Sequence, residues 1–243
     1  MKNKKGSHAA RRACLPVRQA IVLLSGGLDS AVTLYYAKKR GFSCSCLIFD
    51  YGQRHRKEIE SAKKISRLSG CKAQVINIDL PQKGSALLDK KVKIPEHART
   101  YGRVNSIPVT YVPARNIIFL SFALSFAETL SAEAIFIGAH SHDYSGYPDC
   151  RPEFYREFSR TIAQGTKAGV EGKAVKIYTP LIDKTKAEII KLGTSLGVPF
   201  QFTWSCYQGK ERPCGKCDSC YFRARGFREE GIKDPLLAGS RQG

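Results

Sequence analysis

No window of the chain approaches the roughly 18 consecutive apolar residues that a bilayer-spanning helix needs, and the apolar run from Ile21 to Leu24 is too short for the core of a secretion signal. Membrane insertion and secretion are thereby set aside, and a soluble, cytoplasmic chain is expected. Internal repeats and low-complexity tracts are absent, which argues against a solenoid. Acidic residues are scarce, 21 Asp and Glu against 40 Lys and Arg, for a formal net charge of +19. The shortage is most marked in residues 1–18, where Lys2, Lys4, Lys5, Arg11, Arg12 and Arg18 meet no acid at all. That stretch reads as a basic tail, solvated or held against a polyanion. Nucleic acid is not the expected partner, because basic tails are common without it.

The nine cysteines (Cys14, Cys44, Cys46, Cys71, Cys150, Cys206, Cys214, Cys217 and Cys220) are odd in number and come without a secretion signal, which argues against a disulfide framework. Four crowd into one segment with the spacing C-x7-C-x2-C-x2-C. Four thiolates at Cys206, Cys214, Cys217 and Cys220 would close a tetrahedral zinc site and leave no open position, as a structural site requires. A redox C-x-x-C pair fits four clustered cysteines poorly, while an iron–sulfur cluster takes the same ligands. Spacing and the lack of surrounding redox motifs favour one structural Zn2+ per chain.

A chain of 243 residues with 42% hydrophobic content is long enough to bury a substantial core. From Gln19 onward, short β-branched runs alternate with segments of helical period, the pattern of an α/β fold with a parallel sheet flanked by helices. Strands are expected at Ala20 to Leu24, Ser43 to Phe49, Ala73 to Ile78, Ala134 to Ile137 and Val175 to Tyr178. Helices are expected at Asp29 to Lys39, His55 to Ser69, Ala114 to Leu130, Glu153 to Ala168 and Lys184 to Leu196. The boundaries so drawn are a tail at 1–18, an α/β nucleotide domain at 19–200, a four-cysteine segment at 201–228 and a second tail at 229–243. The long connections Leu80 to Val112 and Ala139 to Pro152 are candidates for function, and ligands belong at the carboxyl ends of the strands.

Two common nucleotide signatures are missing. No Gly-Lys pair is followed by Ser or Thr as a Walker loop requires, and no G-x-G-x-x-G follows a strand. In their place, Ser25-Gly26-Gly27-Leu28-Asp29-Ser30 joins the first strand to the first helix. Glycines let backbone N–H groups approach a phosphate, and the helix adds its positive dipole end. Ser25 and Ser30 offer hydroxyls. Asp29 would repel phosphate and is assigned to magnesium. The plain alternative is a Gly-Gly turn with an Asp or Ser cap. The hexapeptide resembles the S-G-G-x-D-S signature of the PP-loop ATP pyrophosphatase superfamily, whose members adenylate a carbonyl oxygen and release pyrophosphate. The resemblance implies ATP contacts along Leu24, Ser25, Gly26, Gly27, Leu28, Asp29, Ser30 and Ala31, with Mg2+ accompanying the nucleotide.

Three further segments stand where substrate would lie. Phe49 to Glu58 reads FDYGQRHRKE, and its cations oppose the dipole of the helix they begin, so an anionic ligand or a neighbouring acid should relieve them. In Tyr111 to Asn116, Arg115 is either a capping or ion-pair residue or a contact for phosphate or a substrate carboxylate. Asp143 to Phe154, DYSGYPDCRPEF, offers tyrosines to stack on a heterocycle, acids such as Asp143 to bind its N–H groups, and Arg151 to pair with a carboxylate. Cys150 is a nucleophile or a small buried filler. Asp29, Ser30, Arg115, Asp143 and Arg151 are the candidate catalytic residues.

Together with YVPARN, TPLIDKTKAEII and Thr203-Trp204-Ser205-Cys206, these segments resemble the 7-cyano-7-deazaguanine synthase (QueC) family from about Ala20 to Arg225. The resemblance implies ATP-dependent conversion of 7-carboxy-7-deazaguanine and ammonia to the nitrile, by adenylation, amidation and dehydration, in a homodimer with a structural zinc. No glutaminase domain is visible, so ammonia is free or comes from an external donor. Ala139-His140-Ser141-His142 departs from the family pattern, which has an Asn-containing segment there. Two other classes remain open. A tRNA-modifying PP-loop enzyme would use the positive charge, and a nucleotide-binding zinc scaffold would bind ATP without turnover.

Overall fold

The computed structural model describes residues 17–81, 83–96, 107–140 and 146–238. Five strands, β1 (Gln19–Leu23), β2 (Ser43–Asp50), β3 (Lys72–Asn77), β4 (Ala134–Phe136) and β5 (Lys176–Tyr178), form one sheet in the order β3-β2-β1-β4-β5. Every neighbouring pair is parallel. The helices are α1 (Leu28–Lys39), α2 (Lys57–Leu68), α3 (Arg115–Thr129), α4 (Pro152–Gly165), α5 (Lys167–Val170), α6 (Lys186–Ser195), α7 (Asp218–Glu229) and α8 (Pro235–Ala238).

The period of two along β1 divides the core. Ala20 and Val22 face one apolar layer with Ala31 and Leu34 of α1, Ile59 and Ile65 of α2, Ile189 and Ile190 of α6, and Phe227 of α7. Ile21 and Leu23 face the other, with Leu120 and Ala123 of α3 and Tyr155 and Ile162 of α4. Burial on both sides explains why the central strands β1 and β4 read as continuous apolar runs. Chain order reverses between β1 and β4, so the loops that follow them leave to opposite sides and open a crevice at their carboxyl ends.

Two expectations are corrected by local physics, and one element is added. The second helix begins at Lys57, not His55, because the buried Gln53 and His55 turn inward onto Glu58, at 3.1 and 3.0 Å. The helix expected over Glu153 to Ala168 is two helices. Thr166 is extended (φ −125°, ψ 155°), and its hydroxyl accepts the Gly169 N–H at 3.0 Å to cap α5. The four-cysteine segment contains α7, which starts at Asp218 and packs against α6. The first long connection reaches the same segment, where Ala86 and Ile94 share a small core with Trp204, Cys206, Cys217 and Cys220.

Candidate active site and four-thiolate centre

The turn after β1 keeps the first turn of α1 available to a ligand. Gly27 is the extended N-cap residue, and no side chain caps the helix. Ser25 Oγ donates to Ser30 Oγ at 3.0 Å, and Ser30 Oγ donates to the Gly27 carbonyl at 3.1 Å, which holds both hydroxyls on the loop. Leu24, Ser25, Gly27, Leu28, Asp29 and Ser30 line a cavity of about 300 Å³ at the crevice. Gly26 and Ala31, expected to contact ATP, do not line it. Gly26 has φ 85° and lies so close to α2 that a Cβ would sit 2.1 Å from the Glu58 carbonyl oxygen. Its own carbonyl accepts the Trp204 N–H at 2.9 Å. Ala31 is fully buried in the core, and its N–H is bonded to the Gly27 carbonyl at 3.1 Å.

Asp29 is held from two distant parts of the chain. Lys186 Nζ, at the start of α6, donates to Asp29 Oδ1 at 2.7 Å and Oδ2 at 2.9 Å, and approaches His140 Nε2 at 3.0 Å. His140 Nε2 lies 3.5 Å from Asp29 Oδ2. Burial by itself would raise the Asp29 pKa, but Lys186 and His140 outweigh it and hold the carboxyl well below the usual carboxylate range. Close packing brings the loops together, since a Cβ on Gly138 after β4 would stand 3.0 Å from the Asp29 carbonyl. Sequence reasoning missed Lys186: its place at the start of a helix was expected, but nothing local in TPLIDKTKAEII points to a partner 157 residues away. Thr185 and Glu188 form a capping box there, each accepting from the other's backbone.

The wall beyond is aromatic. Arg115 Nη1 donates to Tyr51 Oη at 3.3 Å, and its guanidinium lies 6.0 Å from the Phe119 ring centre. Phe119 stacks on Phe49 at 3.9 Å. Burial, only partly opposed by Arg115, pushes the Tyr51 hydroxyl up to about 12. Tyr147 shares a 2.7 Å hydrogen bond with Thr110, and both line the cavity with Tyr207.

The DYSGYPDCRPEF segment divides. Asp143 lies outside the described residues, and Arg151 is exposed and absent from the cavity lining. Asp149 accepts the Asn116 N–H at 3.1 Å and so serves the start of α3. Cys150 lines the cavity, with burial pushing its thiol up to about 11. Cys150 Sγ accepts from Asn116 Nδ2 at 3.3 Å, which ties the side chain to the start of α3. At the start of α2 the basic side chains find neighbouring acids: His55 Nε2 lies 3.0 Å from Glu58 Oε2, and Lys57 pairs with Glu211 at 3.0 Å.

The four sulfurs of Cys206, Cys214, Cys217 and Cys220 lie within 4.8 Å of one another, with Cys214 and Cys220 at 3.9 Å. Tetrahedral bonds of about 2.3 Å place ligand sulfurs about 3.8 Å apart, so the cluster suits a metal ion. Backbone N–H groups of Cys214 (3.3 Å) and Gln208 (3.5 Å) point at Cys206 Sγ, and those of Lys216 and Cys217 (3.4 Å each) at Cys214 Sγ. Donors of this kind stabilise thiolates.

The family model described as queuosine biosynthesis protein QueC matches residues 19–231. The chain belongs to the QueC family. A 7-cyano-7-deazaguanine synthase of Acetivibrio thermocellus is 53% identical over 90% of this chain and 97% of its own length. One of Nostoc punctiforme is 50% identical over 90% of this chain and 99% of its own length. Among solved structures, NMN synthetase from Francisella tularensis is similar with a TM-score of 0.47 and 16% identity, over 94% of this chain and 80% of that one. Within this QueC chain, His140 is a direct neighbour of Asp29 and Lys186.

Proposed function

We propose that this chain makes 7-cyano-7-deazaguanine from 7-carboxy-7-deazaguanine, ammonia and ATP. The observation that carries the reading is the continuity of one cavity, which joins the glycine turn and the Asp29–Lys186–His140 cluster to the Arg115 and tyrosine wall. ATP phosphates belong at the first, and a flat anionic heterocycle belongs at the second, where Arg115 would pair with its carboxylate and Tyr51, Phe119, Tyr147 and Tyr207 would enclose the ring.

A carboxylate resists nucleophiles because it is anionic, and adenylation makes one of its oxygens a leaving group. Attack by the carboxylate oxygen on the α-phosphorus of ATP releases pyrophosphate. Ammonia then displaces AMP to give the amide. A second adenylation, on the amide oxygen, releases a second pyrophosphate, and loss of both N–H protons and of AMP then gives the nitrile. Lys186 is placed to neutralise phosphate charge from outside the loop, which supplies the cation that a Walker lysine would provide. Asp29 is the residue that would hold Mg2+, which would neutralise the nucleotide's charge. Zn2+ is the metal proposed for the four thiolates, where it would fix the segment that carries Trp204 and α7. Asp143 and Arg151 are retained as proposed substrate contacts. A homodimer is proposed too, supported by the exposed Ile117 and Phe122 on α3, and sedimentation would check it.

Incubating zinc-loaded protein with the carboxy-deazaguanine, ATP, magnesium and ammonium should yield the nitrile by mass spectrometry, with two AMP released per product. Absence of nitrile from folded, metal-replete protein would overturn the reading, and one AMP per nitrile would overturn the second adenylation.

A further inference from the structure

Arg115 lines the cavity from a turn that its own residues disfavour. Val112, Pro113, Ala114 and Arg115 form a four-residue turn, closed by the Arg115 N–H on the Val112 carbonyl at 3.2 Å. Ala114, the third residue, has φ 55° and ψ 17°, and is one of two non-glycine residues with positive φ among the described residues. Proline second and a positive φ third is the pattern of a type II turn, where the third position normally belongs to glycine or asparagine. A Cβ makes the left-handed region costly, so alanine stays there only where neighbouring groups hold it.

Tyr111 supplies the hold. Its hydroxyl accepts the Ala114 N–H at 3.0 Å, and its own N–H donates to the Pro108 carbonyl at 2.9 Å. The Tyr111 ring lies 5.8 Å from that of Tyr147, whose hydroxyl is fixed by the 2.7 Å bond with Thr110. Thr110, Arg115 and Tyr147 line the cavity, whereas Tyr111 does not. Any effect of Tyr111 on a ligand therefore runs through the turn. The dihedrals of Ala114 set the direction in which α3 and its first side chain, Arg115, leave the turn. That direction is the one that lets Arg115 Nη1 reach Tyr51 Oη at 3.3 Å and the Asn116 N–H reach Asp149 at 3.1 Å. Rotation of Ala114 into the right-handed region would misdirect both.

We propose that Tyr111 is a positioning residue: it holds Ala114 in the left-handed turn and thereby aims Arg115 at the carboxylate of the deazapurine. The proposal rests on the function given above, in which Arg115 pairs with that carboxylate. The hydroxyl stands in for the conformational freedom that a glycine would bring, and alanine leaves the turn fewer alternatives than glycine would.

The test is a double-mutant cycle on nitrile production by the full, zinc-loaded chain, with KM measured for 7-carboxy-7-deazaguanine and for ATP. Tyr111→Phe keeps the ring and removes the acceptor. It should lower kcat/KM for the deazapurine about five- to tenfold, the worth of roughly one hydrogen bond, and leave KM for ATP within about twofold. Ala114→Gly alone should stay within about twofold of wild type, and adding it to Tyr111→Phe should restore kcat/KM to within about twofold, because glycine takes positive φ without help. Rescue by a glycine that brings no hydroxyl separates an effect through the turn from any other role of the tyrosine. Wild-type kinetics in Tyr111→Phe, an equal loss against ATP, or no recovery in the double variant would each overturn the proposal. Amide exchange followed by NMR reads the hold without turnover: the Ala114 N–H should exchange about tenfold or more faster in Tyr111→Phe, and equal exchange would overturn the contact. Absence of nitrile from the wild-type chain would instead overturn the function on which the proposal rests, a result that the variants do not enter.

Discussion

Asp29 and Lys186 depend on each other. Removing the ammonium by Lys186→Met should leave a partly buried carboxylate without its main partner, at a cost of about 3 kcal/mol or less. It also removes a cation beside the phosphates, an effect of order 10²–10³ in kcat. Steady-state kinetics and urea unfolding would check both, and a fall below tenfold in kcat would rule out a phosphate role for Lys186. The low pKa of Asp29 carries a pH signature. Its folded value is depressed, so its ionised form contributes stability that is present above the unfolded pKa near 3.9 and lost as pH falls through the folded value. The stability gap between wild type and Asp29→Asn should therefore shrink as pH drops below about 4. Melting curves of the two proteins in parallel measure that gap, with the metal cluster common to both. Neither contact was legible from sequence. Asp29 was visible as part of a local motif, whereas its partner is 157 residues away, a pairing that only the closed fold creates.

Elements were more legible than contacts, for a definite reason. The strands and the helices over α1, α2, α3 and α6 bury one or both faces in the main layers, so their apolar period survives in the sequence. By contrast, α7 is rich in charge, and the residues it buries, Asp218, Cys220, Arg223, Gly226 and Phe227, are mostly polar or small, so no apolar period marks it. Its sequence announced a metal segment, not a helix. Gly226 is the point where α7 lies against α6: a Cβ there would stand 2.6 Å from Lys186 Cγ and 2.9 Å from Ile190 Cδ1. Gly226→Ala should force the helices apart, destabilise by about 1–3 kcal/mol, and lower kcat with its metal content unchanged. Metal analysis beside calorimetry and kinetics would check this, and wild-type kcat would show that α7 does not position Lys186. The two long connections were flagged by length, and the second also by its tyrosines, acids and Arg151. One holds Asp149 and Cys150 against Asn116, and the other packs on the cysteine cluster, roles that length does not reveal.

At the scale of the whole molecule, the crevice is fixed by strand order, which the alternation of strand and helix predicts in class but not in sequence of neighbours. ATP with magnesium should bind the folded chain alone, and at about 100 times Kd it should add about 2.7 kcal/mol, or about 5–10 °C in Tm for a chain of this size. Differential scanning calorimetry measures the shift, and no shift at saturating nucleotide would remove the ATP assignment. The contacts that complete the nucleotide turn come from late in the chain: Trp204 donates to Gly26, and Lys186 reaches Asp29. A polypeptide emerging from the ribosome therefore presents this turn early, yet cannot finish it until more than 170 further residues have been made. Nascent fragments that end before Lys186 should be unable to retain the nucleotide, so binding competence arrives late in synthesis, as the carboxyl-terminal third folds back onto the start.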